Sequence, residues 1–213
     1  MVAPFFRRVL LDTSLYRFLS PVRNRIHYFA WDKKRRPLPP PALVKQRAVS
    51  DHAKRFRITT LVETGTYLGD MVSACRGVFE RIISIELDPD LHARAKQRFA
   101  RDPCIKLLLG DSGTILRDVL ALQTSPCVFW LDAHYSAGLT AKGRVDSPIL
   151  EELRLILKHP VAGHVILIDD ARAFGSDDAY PSLQALAQWI ASLRPDLVFE
   201  VRDDIVRLLP ARA

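Results

Sequence analysis

From about residue 57 the chain alternates short β-rich apolar runs with amphipathic stretches, the pattern of a parallel sheet with crossover helices. Five runs predict strands: "ITTLVE", "RIISIEL", "IKLLLGD", "CVFWLDA" and "HVILIDD". Between the last two, "DSPILEELRLILKH" predicts the clearest helix. Its apolar residues Ile149, Leu150, Leu153, Ile156 and Leu157 repeat at helical spacing, Ser147 is placed to cap, and Pro148 occupies a tolerated first-turn position. The final stretch "LVFEVRDDIVRLLP" alternates on both sides of Asp203 and Asp204, which predicts an antiparallel hairpin at one edge of the sheet. The predicted fold class is α/β, with no internal repeat.

A chain of 213 residues holds one full α/β core and is short for two. We therefore expect a basic aromatic extension and Pro-rich linker over 1–45 and one domain over 46–213. Hydrophobic residues at 48% and charged residues at 26% describe an ordinary globular protein. No apolar run reaches the roughly 18 residues of a membrane span. The first residues place Arg7 and Arg8 inside an apolar stretch without a small-residue cleavage site, unlike a signal peptide, so a cytoplasmic location is expected. Cys75, Cys104 and Cys127 are odd in number and widely spaced, which predicts reduced core thiols.

The net charge of +7 is unevenly spread. Residues 1–57 hold 14 Lys/Arg against Asp12, Asp32 and Asp51, which leaves 17 basic against 21 acidic residues for the remainder. The extension interleaves Phe5, Phe6, Tyr16, Phe18, Tyr28, Phe29 and Trp31 with arginines before "KKRRPLPPP". Such a segment suits a membrane surface, contacted peripherally through residues 1–35, a nucleic acid, or an anionic substrate. The plainer alternative is one or two short helices that pack on the domain and keep their arginines in water.

In an open parallel sheet the ligand crevice lies beyond the carboxyl ends of the strands. Every predicted strand here ends in an acid: Glu63, Glu86, Asp111, Asp132, then Asp169 with Asp170. The first turn, "LVETGTYLGDM", has Gly65, Thr66, then Tyr67 where a dinucleotide fingerprint has its middle glycine, then Gly69, flanked by Glu63 and Asp70. Two carboxylates repel a pyrophosphate and favour a ligand that is cationic at that point. S-adenosylmethionine is such a ligand, with a sulfonium, an amino group and no phosphate. Glu86 is then placed to accept both ribose hydroxyls, and Asp111, with Ser112 beside it, to meet the adenine edge.

"VETGTYLG", "IELDP", "GDS" and the terminal hairpin together resemble a class I S-adenosylmethionine-dependent methyltransferase over about residues 57–210. The resemblance implies a Rossmann-like doubly wound sheet of seven strands with the last antiparallel. The segments "FWLDAHYSAG" and "ILIDDAR" would bring Asp132, Asp169 and Asp170 together near the sulfonium. Three ionised carboxylates need a neutralising cation, Mg²⁺ being the hard divalent ion that suits oxygen ligands. This is similar to the macrocin O-methyltransferase-like, metal-dependent group, where an acid after the fourth strand and an Asp-Asp pair after the fifth hold the metal. That group has a second acid two positions after the first; here His134 stands there and offers a general base beside Asp132. His134 as a loop-orienting hydrogen bonder is the alternative. The small-residue segment "YSAGLTAKGRVDS" would form a lid. Lys142 and Arg144 would attract an anionic acceptor, and Arg172 would contact substrate or neutralise the acids. The expected acceptor is a small molecule or glycan hydroxyl, with nucleic acid and a catalytically silent binding protein as rivals.

Overall fold

The computed structural model describes residues 14–132, 148–175 and 180–211. The five apolar runs form β1 (Thr60–Thr64), β2 (Arg81–Glu86), β3 (Ile105–Leu109), β4 (Val128–Leu131) and β5 (Val165–Ile168), and the terminal run forms β6 (Leu197–Arg202) and β7 (Ile205–Pro210). All seven join one sheet in the order β3-β2-β1-β4-β5-β7-β6. β1 to β5 are parallel, and β7 runs antiparallel to both β5 and β6. The chain moves outward from β1 through β2 to β3 and then returns to place β4 on the other side of β1. That reversal creates a crevice at the carboxyl ends of β1 and β4.

The sheet is buried on both faces, and the two-residue period of a strand assigns its side chains to two cores. Val62, Phe129, Leu131, Ile166 and Ile168 pack with α5 (Ser112–Ala121), α6 (Pro148–Leu157) and α7 (Leu183–Leu193). Their sequence neighbours Leu61, Val128, Trp130, Val165 and Leu167 pack on the other face with α2 (Ala42–Phe56), α3 (Asp70–Cys75) and α4 (Pro89–Arg98). The terminal hairpin follows the same rule, with Val206 and Leu208 in the first core and Ile205 and Leu209 in the second. Cys75 and Cys127 are buried, and all three cysteines are unpaired.

The basic extension is helical where it is described. α1 (Ser14–Lys33) lies against α2. Trp31 is buried and donates from Nε1 to the Pro37 carbonyl at 2.6 Å, and the Arg47 guanidinium sits 4.6 Å from the centre of the Tyr28 ring. α2 spans the expected 45/46 boundary without a break and contributes Val44, Ala48, Val49 and Ala53 to buried positions, so it packs as part of the domain. Among the described residues, no helix is long and apolar enough to cross a membrane.

Candidate active site

β1 leads into a turn whose backbone is fixed by β2. The amides of Gly65 and Thr66 both donate to the Ile85 carbonyl, at 2.9 and 3.2 Å, and the Gly69 amide donates to Thr66 O at 2.8 Å. Gly65 has φ +85, and a Cβ there would lie 3.2 Å from the Asp132 Cβ, so both backbone hand and close approach require glycine. Gly65→Ala is expected to cost about 1–2 kcal/mol of stability, the price of left-handed backbone for a residue with a Cβ, and thermal melting measures it. Tyr67, at φ 48, also takes the left-handed region, and its side chain is exposed.

Glu86 holds this turn. Its buried carboxylate accepts from the Tyr67 amide at 2.7 Å through Oε2 and from the Asp88 amide at 2.9 Å through Oε1. Each oxygen keeps a second lone pair, so the group can still accept two hydroxyls. Glu63 lies on the α2–α3 face of the sheet, beside Ser84 in register on β2. Ser84 Oγ donates to Glu63 Oε2 at 2.5 Å and lies 2.6 Å from Thr66 Oγ1. Burial pushes the Glu63 carboxyl up to about 8; the Ser84 bond opposes this, and Asp132, Glu86 and Asp70 add to it. The chain thus holds a proton where the sequence suggests a free carboxylate. Asp70 is compensated by Arg98, whose Nη1 lies 3.0 Å away and also donates to Leu68 O.

Asp111 is exposed and caps α5, accepting from the Thr114 amide at 3.1 Å and from Thr114 Oγ1 at 3.2 Å. Ser112 hydrogen-bonds a residue the sequence reading missed, Glu152 of α6. Glu152 is buried, accepts from Thr64 Oγ1 at 3.3 Å, and is pushed up to about 7 by burial, against those two hydrogen bonds and with the help of Asp111 and Asp132. Its signal was present: Glu152 stands beside Leu153 and three residues after Ile149, on the apolar face of its helix.

Asp132, Asp169 and Asp170 do come together. One carboxylate oxygen from each lies within 4.8 Å of the others, a donor set of hard oxygens that fits a divalent cation. Asp170 takes φ 53, and its amide donates to Asp169 Oδ1 at 2.8 Å, which turns the chain sharply after β5. Two cations already serve the pair. Lys45 Nζ reaches from α2 to Asp169 Oδ2 at 2.6 Å and Asp170 Oδ1 at 3.2 Å. Arg172 Nη1 lies 2.8 Å from Asp170 Oδ1 and also bonds the buried Asp204 of the terminal hairpin, which in turn accepts from the Arg172 amide at 2.9 Å.

Lys45 and Asp169 are both raised, which favours the charged form of the lysine and disfavours that of the aspartate. Burial alone would lower Lys45, but the two aspartates raise it above its ordinary value. Burial pushes Asp169 up to about 6 despite the Lys45 attraction. An acid at about 6 and an amine above its ordinary value are both charged at neutral pH, so the ion pair is the resting state.

His134, the expected base, and the lid segment 135–147 with Lys142, Arg144 and the capping Ser147 lie outside the described residues. His159 and His164 form a chain remote from the crevice. The Cys127 amide donates to His164 Nδ1 at 3.0 Å, His164 Nε2 meets His159 Nδ1 at 2.9 Å, and His159 Nε2 meets Leu120 O at 2.9 Å. Burial pushes His164 down to about 4, as a neutral structural imidazole requires.

No family model and no curated protein matches the sequence. Solved structures match in fold. A putative caffeoyl-CoA O-methyltransferase from Staphylococcus aureus has a TM-score of 0.57 at 11% identity, covering 95% of this chain and 100% of that one. An O-methyltransferase from Bacillus cereus in complex with SAH has a TM-score of 0.58 at 13% identity, covering 94% and 99%. The O-methyltransferase TomG from Streptomyces achromogenes, in complex with SAM, has a TM-score of 0.54 at 15% identity, covering 88% and 89%. The chain therefore has the Rossmann-like class I methyltransferase fold, with its seven-stranded sheet and antiparallel terminal hairpin as the sequence predicts.

Proposed function

We propose that this protein is an S-adenosylmethionine-dependent methyltransferase that methylates a hydroxyl of a small molecule or glycan, with Mg²⁺ held by Asp132, Asp169 and Asp170. The observation that carries the reading is a juxtaposition at the switch point of a class I methyltransferase fold. A glycine turn pinned by Glu86 lies against Asp132, and Asp132 shares a cluster with the aspartate pair after β5.

In this reading Glu86 accepts the ribose hydroxyls with the lone pairs its backbone bonds leave open. Glu63 faces the cationic methionine end of the cofactor. Bound S-adenosylmethionine would supply the electrophilic methyl group to an acceptor hydroxyl aligned with its C–S bond, with S-adenosylhomocysteine as the product that keeps the bonding electron pair. Alignment of the two reactants supplies much of the acceleration. A bound Mg²⁺ would orient the acceptor hydroxyl and lower its pKa. The hydroxyl proton passes to a base, for which His134 is the nearest imidazole in sequence to Asp132. The three fold neighbours from Staphylococcus, Bacillus and Streptomyces are O-methyltransferases by description, which supports oxygen as the acceptor atom.

The first test is calorimetric titration of S-adenosylhomocysteine with Mg²⁺ and then with EDTA. Micromolar binding, tighter or more exothermic with Mg²⁺, is expected; no binding in either buffer would overturn the reading.

The buried Glu63 adds a proton-linked test. Its folded pKa, about 8, lies above the ordinary 4.5, so its favourable contribution is complete below pH 4.5 and is lost as pH rises through 8. A cationic ligand beside it lowers that pKa. S-adenosylmethionine binding at pH 7 is therefore expected to release up to about 0.9 proton, and its uncharged-sulfur product less. Calorimetry in buffers of different ionisation enthalpy measures the release, and Glu63→Gln should abolish it. Unchanged release in that variant would remove Glu63 from the cofactor's cationic end.

A further inference from the structure

α1 has two different faces. One carries the buried Trp31 and the Tyr28 ring that meets Arg47 of α2. The other carries Val22, Ile26 and Phe29, which are 59%, 61% and 63% exposed. Spaced at i, i+4 and i+7, these three form one stripe along the helix. Nothing among the described residues covers it. Three large apolar side chains more than half exposed on one helix are a continuous patch, unlike single hydrophobic residues scattered over a surface.

The charge around the stripe selects its occupant. Residues 14–36 contain seven Lys/Arg (Arg17, Arg23, Arg25, Lys33, Lys34, Arg35 and Arg36) and one acid, Asp32, a surplus of six positive charges. Arg25, Lys33, Lys34, Arg35 and Arg36 are exposed, and Asp32 is engaged by Arg36 at 2.9 Å. A second copy of the chain docking through this face would bring two such surpluses together, with Asp32 the one acid of residues 14–36 to offset them. A nucleic acid would match the charge but would leave the aliphatic Val22 and Ile26 without a partner. An anionic lipid surface satisfies both features, because acyl chains take the stripe and headgroups take the cations.

We propose that α1 is an interfacial anchor that lies on an anionic membrane surface with Val22, Ile26 and Phe29 inserted at the headgroup–acyl boundary. α2, against which α1 lies, also carries Lys45 to the aspartate cluster. The proposal does not depend on the transferase reading, since vesicle binding needs no cofactor and each can fail alone.

The test is flotation of the full chain with vesicles of phosphatidylcholine alone and of phosphatidylcholine with phosphatidylserine. Binding to the anionic vesicles only, weakened by added salt, is expected. Ile26→Asp with Phe29→Asp should reduce the partition coefficient at least about tenfold. Lys33→Gln and Lys34→Gln should each reduce it roughly fivefold. All four positions are exposed, so an unchanged melting curve separates lost binding from lost folding. No binding to anionic vesicles would overturn the proposal. So would binding that the double Asp variant retains, which would assign it to another segment. A concentration-dependent dimer abolished by the same variant, without vesicle binding, would give the stripe to a second copy of the chain and also overturn it.

Discussion

Glu86→Ala is expected to weaken S-adenosylhomocysteine binding about a hundredfold. Hydrogen bonds to a charged group contribute roughly 1.5–3 kcal/mol each, and a diol resting on one carboxylate uses two of them. The low end of that range applies, because the empty space left by alanine admits water. Part of the loss has another origin: Glu86 also accepts from the Tyr67 and Asp88 amides, so alanine leaves two backbone donors of the turn unsatisfied. The two contributions separate in a ligand cycle. Wild-type protein should prefer S-adenosylhomocysteine over its 2′-deoxy analogue by about tenfold, the worth of one such hydrogen bond, whereas Glu86→Ala should bind both equally. A variant that weakens binding but keeps the preference would show that Glu86 organises the turn without touching ribose.

The sheet was legible because its strands are short, apolar and separated by polar turns. β4 and β5 are buried at every position, so their sequences read as continuous runs whatever packs on them. The acids after those strands were legible for the same reason, each marking the point where an apolar run stops. α2 was not. Its buried positions Val44, Ala48, Val49 and His52 have helical spacing, but they follow a proline run and are interleaved with Lys45, Arg47, Lys54 and Arg55, so no helix stands out there and the expected 45/46 boundary cuts through it.

Missing α2 also hid its main contribution to the site. Lys45 meets Asp169 across 124 residues of sequence, and no local pattern encodes a contact of that range. Glu152 was hidden differently. An acid in an amphipathic helix reads as solvent-facing, and only the helical phase set by Ile149 and Leu153 shows that it points inward. Both omissions concern charge compensation: the sequence displayed the carboxylates, while their partners came from elements whose packing had to be known first.

Lys45→Met is expected to destabilise the protein and, at the same time, to tighten its hold on a divalent ion. The ammonium lies between two carboxylates whose side chains are 10% and 8% exposed, and is itself only 18% exposed. Removing one partner of a buried pair costs about 3–5 kcal/mol, and the low end applies because Arg172 still compensates Asp170. Thermal melting in EDTA should show that loss. With Asp132, the cluster brings three carboxylates against Lys45 and Arg172, and methionine of similar length removes one of those cations without opening a large cavity. Mg²⁺ should then restore stability, by about 2.7 kcal/mol at a hundred times its dissociation constant. The wild-type protein, in which an ion must displace or share with the ammonium, should gain less. Titration with Mn²⁺, read by electron paramagnetic resonance, checks the affinity without any turnover. Equal Mn²⁺ affinity in the two proteins would show that Lys45 and the metal do not compete. No Mn²⁺ binding by either would mean that Lys45 and Arg172, not a metal, neutralise the acids, and would overturn the Mg²⁺ part of the proposed function.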